Sequence, residues 1–393
     1  MTQTVFLGVD FGTSFTKIAF QVLPSAVKDI ISIPYETADN PFFPSVVYFN
    51  PATESLSWNK EPDTIEVKYF KYAMAFDELS SPAALQMQCG DSKQAAELCS
   101  IFYLACLFHA VRSTIEACVL QHGEPATSLR WAVNMGIPTK SIKNERIVRI
   151  YTNVLQCAWA LSFDSSVDSY RMNIADLRRK RSELLNSQIG AHLNVVPELF
   201  AEVLLYHQNP NIPAGLYTVV DIGGGTMDVS TFKKDRIDKK WKVYCMSESV
   251  APLGVEIVNN QHRFKPMIEK TYGSCVWTAR SRLLTAIQNG LPHKWFLLGG
   301  GRTVQIFKKS ISRMALEHSR YIKNQFEGNI ANLIPSQWVH NPIGNRPDRL
   351  ITSQMLAQPF GAIPSVEGDP NTIVPPFRRD NLDGDFQYGI TDT

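Results

Sequence analysis

Two stretches of the chain place a carboxylate at the end of an apolar run and follow it at once with small residues. The first reads Val5-Phe-Leu-Gly-Val-Asp10-Phe-Gly12-Thr13-Ser14-Phe15-Thr16-Lys17, the second Leu216-Tyr-Thr-Val-Val-Asp221-Ile-Gly223-Gly224-Gly225-Thr226-Met-Asp228. Each pattern predicts strand, tight turn, strand. A turn of this kind leaves backbone N–H groups uncovered by side chains, so that their dipoles can close on a phosphate. The carboxylates at its rim suit a hydrated magnesium ion, which dehydrates reluctantly and is held by few carboxylates plus phosphate oxygens. Taken singly, a triple glycine is equally a hairpin loop without a ligand. The repetition points to chemistry: aligning Asp10 with Asp221 puts Gly12 on Gly223 and Ile18 on Val229. Two such units predict two similar lobes presenting both turns to one cleft. A third stretch, Trp295-Phe-Leu-Leu298-Gly299-Gly300-Gly301-Arg302, predicts a strand running into glycines with a helix after it, which suits a ribose or adenine face.

The elements that must position these residues are partly legible. The chain has 393 residues, 44% hydrophobic and 19% charged, enough for two domains with sizeable cores. Its formal charge of +2 supplies no field that would draw it to nucleic acid or membrane. Seven scattered cysteines show neither metal spacing nor a secreted framework and read as reduced core thiols. No apolar run looks long enough to span a bilayer and no leader precedes Asp10, so a cytoplasmic protein is expected. Residues 23 to 92 read as irregular, rich in proline and aromatics. A helix is predicted from Asp91, with Gln94 completing a capping box, toward Gly123; its stretch Ile101 to His109 is apolar nearly all round, as in a buried core helix. His109 lacks metal-spaced partners and reads as a core or boundary histidine. Trp131 to Pro138 reads as a strand, with helical sequence after it to about Leu161. The basic run Arg178-Arg179-Lys180-Arg181, flanked by Asp176 and Glu183, reads as the polar face of a helix, or as a docking surface for an acidic partner.

With these motifs in view, the sequence resembles the actin-like ATPases, and within them the nucleotide-binding domain of the heat-shock-70 chaperones. Asp10-Phe-Gly-Thr13-Ser14 resembles the family's first phosphate motif, Asp221-Ile-Gly-Gly-Gly-Thr226-Met-Asp228 its second, and Leu298-Gly-Gly-Gly301 its adenosine motif. Phe43-Pro44-Ser45, Val133 to Pro138 and Val196-Pro-Glu198-Leu-Phe-Ala201 resemble lesser landmarks, so that the likeness spans residues 4 to 360. It implies an α/β fold of duplicated ribonuclease-H-like lobes with an ATP cleft between them: lobe I at residues 1–210 with an outer subdomain at about 23–129, lobe II at 211–360 with its outer subdomain reduced or absent, and a loop-rich tail at 361–393. It implies Mg2+ and ATP or ADP, with Asp10 and Asp221 on the metal through water and orienting the nucleophile. Thr13, Ser14, Gly224, Gly225 and Thr226 would hold phosphates, and Gly12, Phe15, Lys17 and Gly223 belong to the same two motifs. Lys71, or Lys68 as the runner-up, would assist the attacking water, together with Glu198; solvated surface lysines and a first-turn acid are the plainer readings.

One departure stands out. Leu253-Gly254-Val-Glu256 resembles the family's glycine-bearing turn, yet Gly299 follows within 45 residues, an interval in which the relatives carry a whole outer subdomain that clamps adenine. A more open cleft is expected, with Gly300 and Gly301 at the nucleoside and Arg302 stacked on the base. The implied function is a chaperone-like, ATP-hydrolysing switch acting on an unidentified protein partner. A non-hydrolysing nucleotide sensor, an actin-like filament protein or other oligomer, and a small-molecule kinase stand as alternatives.

Overall fold

In the computed structural model the described residues are 3–23, 31–32, 42–75, 83–121, 129–138, 144–185, 190–198, 201, 213–237, 240–259, 261–282, 293–319, 324–326, 351–358 and 367–368. In chain order they form β1 (Thr4–Asp10), β2 (Phe15–Leu23), β3 (Ile31–Ser32), β4 (Phe43–Pro44), β5 (Val47–Asn50), β6 (Ser55–Ser57) and β7 (Ile65–Val67). There follow α1 (Phe70–Ala75), α2 (Ala83–Cys89), α3 (Ser92–Gln121), β8 (Arg130–Ile137), α4 (Glu145–Leu161), β9 (Arg171–Asn173), α5 (Ile174–Leu184) and β10 (Ala191–Pro197). The second half supplies β11 (Gly215–Ile222), β12 (Met227–Ile237), β13 (Lys240–Ala251), α6 (Val255–Val258), α7 (Lys265–Arg282), β14 (His293–Leu298), α8 (Gln305–Ser319), β15 (Asn324–Phe326), α9 (Ile351–Leu356) and β16 (Glu367–Gly368). The architecture is mixed α/β, with three sheets and several helices.

Two of the sheets mix parallel and antiparallel strands and repeat one pairing. The first has the order β10-β8-β1-β2-β3, with β4 also on β2; the second runs β15-β14-β11-β12-β13-β16. In the first, β1 is antiparallel to β2 and parallel to β8; in the second, β11 is antiparallel to β12 and parallel to β14. The acids stand at equivalent rungs near the turns: Asp10 opposite Lys17 on the last rung of the first hairpin, and Asp221 opposite Asp228 on the second, where one more rung, Ile222 opposite Met227, follows. Both leading strands are near-continuous apolar runs because each is central in its sheet and covered on both faces.

The core of the first half gathers around α3, where every residue from Ile101 to Phe108 is buried, as an all-round apolar pattern requires. Asp91 Oδ1 accepts from the Gln94 amide at 2.8 Å, so the predicted cap opens this helix. By length and composition Ser92–Ala117 is apolar enough to cross a membrane, contrary to the expectation of no such run, but 72% of that window is buried inside the protein. α4 is capped by Asn144, and α5 by Asn173. The basic run on α5 is engaged internally: Arg179 with Asp176 and Glu183, Lys180 with Asp164, Arg181 with Glu97, and Arg178 on the Gln88 carbonyl. His109 lies 3.2 Å from the Ser162 carbonyl and 3.7 Å from Asp168, and the described cysteines form no disulfide.

Two placements differ from expectation. The segment read as irregular contains the antiparallel sheet β7-β5-β6-β9, whose fourth strand comes from Arg171–Asn173, beyond the expected outer-subdomain limit at 129. Strands of three or four residues carry little sequence pattern, and the pairing of β6 with β9 is long-range. Second, α9 packs on β1, β2 and β8, so the stretch grouped with lobe II up to 360 sits on the first sheet. Gly8 makes this possible: a Cβ there would lie 2.1 Å from the Ser353 carbonyl oxygen and 2.3 Å from the Ala357 nitrogen. Asn134 Nδ2 then donates to the Leu356 and Gln358 carbonyls at 2.7 and 3.1 Å, satisfying the end of the helix. The tail at 361–393 lies outside the described residues except for β16.

Candidate functional site

The two acid-tipped hairpins open on one cavity of about 260 Å³. Its walls include Asp10, Gly12, Thr13, Ser14, Phe15 and Lys17 from the first hairpin, Asp221, Gly223, Gly224, Thr226 and Asp228 from the second, and Lys71, Glu198, Gly299 and Gly300 from elsewhere. The turns touch each other. A Cβ on Gly224 would fall 1.6 Å from Ser14 Oγ, and one on Gly225 2.7 Å from Thr13 Cγ2, so neither position has room for a side chain.

Each turn is braced from behind. Ser45 Oγ donates to the Gly12 carbonyl at 2.8 Å, its amide donates to the Ser14 carbonyl at 2.9 Å, and its hydroxyl lies 3.0 Å from Thr16 Oγ1. Behind the second turn, the amides of Gly254, Val255 and Glu256 donate to the carbonyls of Gly225, Gly223 and Gly224 at 3.1, 3.0 and 3.0 Å. The turn's carbonyls are thereby drawn to the start of α6. Among the described residues the Gly224 and Gly225 amides have no backbone partner, the condition for receiving an anion. Gly299, at φ +72, accepts the left-handed backbone, and a Cβ there would lie 2.2 Å from Asp221 Oδ1. Gly301 lies behind this wall, where a Cβ would lie 2.2 Å from Ile222 Cγ2.

Lys71, on the first turn of α1, is 5% exposed and its Nζ donates to Glu198 Oε1 at 2.5 Å. Tyr151 fixes that turn by donating to the Lys71 carbonyl at 2.9 Å, and the ammonium lies 5.9 Å from the Phe11 ring centre. Lys68 stays at the surface with Glu66. Of the two candidate lysines, Lys71 is the one inside. Glu198 follows directly on β10, and its Cγ closes over Gly136, 2.9 Å from where a Cβ would stand.

Five carboxylates, Asp10, Glu198, Asp221, Asp228 and Glu256, share the cavity with two lysines, Lys17 and Lys71. Lys17 Nζ pairs with Asp10 Oδ2 at 2.5 Å. Burial disfavours the Lys17 charge, but Asp10, Asp221 and Glu198 outweigh it and raise its pKa. Asp221 is pushed up to about 6 by burial and by Glu198 and Asp10, with Lys17 opposing. Asp228 is pushed up to about 8 by burial, Glu198 and Asp221, against a hydrogen bond from Thr226. Among the described residues Asp228 Oδ1 and Ser14 Oγ are buried without a hydrogen-bond partner. An acid-rich floor with an orphaned carboxylate oxygen fits a divalent cation. Among the described residues no three acids or histidines converge as direct ligands, so the ion would be held through its waters and through phosphate oxygens.

Some positions lie apart from the cavity. Gly225, Gly254 and Gly301 shape the wall without facing the cavity, and the Arg302 side chain lies outside the described residues. Sequence reasoning did not single out Phe42 and Thr352 as lining residues, or Tyr69, which donates to Glu256 Oε2 at 2.5 Å. None carries a local signal: Thr352 arrives on α9, and Tyr69 is one aromatic among several. Between β13 and β14 the described residues hold α6, a 3-10 turn at His262–Phe264 and α7, which packs on β12 and β13. Neither a scan against protein-family models nor a search of curated proteins finds a match to this chain.

Proposed function

We propose that the chain is an ATPase of the duplicated ribonuclease-H-like kind, in which two lobes close on Mg-ATP and hydrolysis switches a surface presented to a protein partner. One observation carries the reading: two hairpins of equivalent register, remote in sequence, bring Asp10 and Asp221 to one cavity together with a buried Lys71–Glu198 pair. The open amide of Gly224, with the hydroxyls of Thr13, Ser14 and Thr226, holds phosphate oxygens, and Lys17 adds charge beside them. A magnesium ion held through water by Asp10, Asp221 and Asp228 supplies neutralisation of phosphate charge when bound. Glu198 and Asp221 orient the attacking water toward the terminal phosphorus, and Lys71 Nζ offsets the negative charge that develops on the transferring oxygens. The proton released by the water passes to Asp221, which, raised to about 6, is ionised near neutral pH and close enough to it to accept.

Phosphate release from ATP, measured for wild type and Asp221→Ala, tests this reading. Loss of about 10²-fold or more in the variant is expected, from loss of water positioning. Equal rates would show the catalytic assignment to be wrong. A second reading, a nucleotide sensor without turnover, is favoured by the Lys17–Asp10 contact, which already neutralises one acidic tip. ATP binding by calorimetry without phosphate release in wild type would establish that alternative.

A further inference from the structure

Tyr69 and Glu256 are 187 residues apart in sequence and meet by a direct hydrogen bond at the mouth of the cleft. Each end is tied to a different part of the site. Glu256 is the second residue of α6, and its amide donates to the Gly224 carbonyl at 3.0 Å, so its position follows that of the second glycine turn. Tyr69 is the entry residue of α1: its carbonyl accepts from the Ala73 amide at 2.9 Å, and Lys71 lies two residues on. Its backbone sits at φ +60, a conformation rare for a bulky aromatic and kept only where the surroundings hold it. Burial and Glu256 push the Tyr69 phenol up to about 12, so it remains a donor through the physiological range.

We propose that the Tyr69–Glu256 hydrogen bond is a latch between the two halves of the molecule, which makes release of the second glycine turn and withdrawal of Lys71 a single event and so sets how fast a bound ligand leaves. The identity of that ligand rests on the nucleotide reading above; the latch itself does not. The Tyr69–Glu256 bond is exposed, whereas the contact of Ser14 Oγ with Gly224 is buried. Loss of this exposed hydrogen bond removes one restraint on α1 and one on α6 while leaving both side chains of the buried Lys71–Glu198 pair in place. Tyr69→Phe deletes only the donor, and Glu256→Gln keeps the shape while removing the charge.

The test has two arms on the full chain. In the first, hydrogen exchange of the ligand-free protein is followed in peptides spanning 69–75 and 254–258. Tyr69→Phe is expected to speed exchange in both peptides and to leave α5 unchanged; unchanged exchange in both overturns the latch. In the second, dissociation of a fluorescent ATP analogue is expected to quicken about tenfold in Tyr69→Phe, the share of a hydrogen bond to a charged group at a partly exposed site. Glu256→Gln should quicken it similarly, and the double variant should add nothing to the larger single effect. Additive effects overturn the pairing. If wild type binds no analogue while Tyr69→Phe still speeds exchange in both peptides, the latch stands and the nucleotide reading falls.

Discussion

Gly254→Ala isolates the brace behind the second glycine turn. Gly254 has φ −73 and ψ 170, an ordinary extended conformation that alanine adopts without strain, so any effect must come from the added methyl group. That methyl would stand 2.1 Å from the Gly224 oxygen, 2.3 Å from its carbon and 2.4 Å from the Gly225 carbon. The obstacle is backbone, which cannot swing aside as a side-chain tip can. Reaching ordinary contact requires a shift of more than 1 Å, roughly the range over which a hydrogen bond is lost. Three bonds depend on this approach, from the amides of Gly254, Val255 and Glu256. At about 0.5–1.5 kcal/mol each, their loss costs on the order of 2–4 kcal/mol. For a half-molecule of this size the melting point should fall on the order of 5–10 °C. Thermal unfolding followed by circular dichroism measures this, with Gly190→Ala as the control, since nothing lies within 4 Å of a Cβ there. ATP affinity should fall with the turn's geometry, because a displaced carbonyl lets the Gly224 amide turn from the cleft. A Gly254→Ala protein that melted within a degree of wild type would refute the argument that α6 holds this turn in place.

Two further outcomes are expected. Lys71→Ala should lower phosphate release by about 10²–10³, the usual range for removing one group aimed at developing charge, while calorimetric ATP affinity changes only a few-fold. The ligand-free protein should lose stability as pH rises from about 4 to about 8: Asp221 and Asp228, raised from 3.8 to about 6 and about 8, keep protons in the folded state that the unfolded chain has already released. Asp228→Asn should flatten the upper part of that decline and raise the melting point at about pH 8, as read from melting curves across the pH range; a steeper decline in the variant would count against the assignment.

What the sequence revealed is what local pattern can encode. Strands of six to eight residues running into or toward glycine mark themselves, and so Asp10, Asp221 and their turns were legible together with the strand before Gly299. The eight buried positions from Ile101 to Phe108 of α3 follow from unbroken apolar sequence. The choice between Lys68 and Lys71 was not encoded locally, since both lie in one aromatic stretch. It is decided by Tyr151 gripping the first turn of α1 and by Glu198 arriving from β10, 127 residues away. Likewise β9 completes a sheet begun more than a hundred residues earlier, and α9 settles on Gly8 and Asn134. Each of these is a long-range partnership between short elements, for which neither periodicity nor composition leaves a trace.

The same distinction explains why the site combines rigid turns with an unsettled charge balance. Glycines that admit no Cβ, Ser45 behind one turn and α6 behind the other fix where the amides lie before any ligand arrives. Such preorganisation removes reorganisation cost from binding and from the transition state. The carboxylate floor does the reverse: five acids against two lysines leave the cavity short of positive charge, and Asp228 holds a buried oxygen without a hydrogen-bond partner among the described residues. A cation that enters relieves this imbalance and brings Asp221 and Asp228 back toward ionisation, so metal binding should release protons and tighten as pH rises through their range. The fold thus supplies the geometry in advance and leaves the missing charge to its ligand.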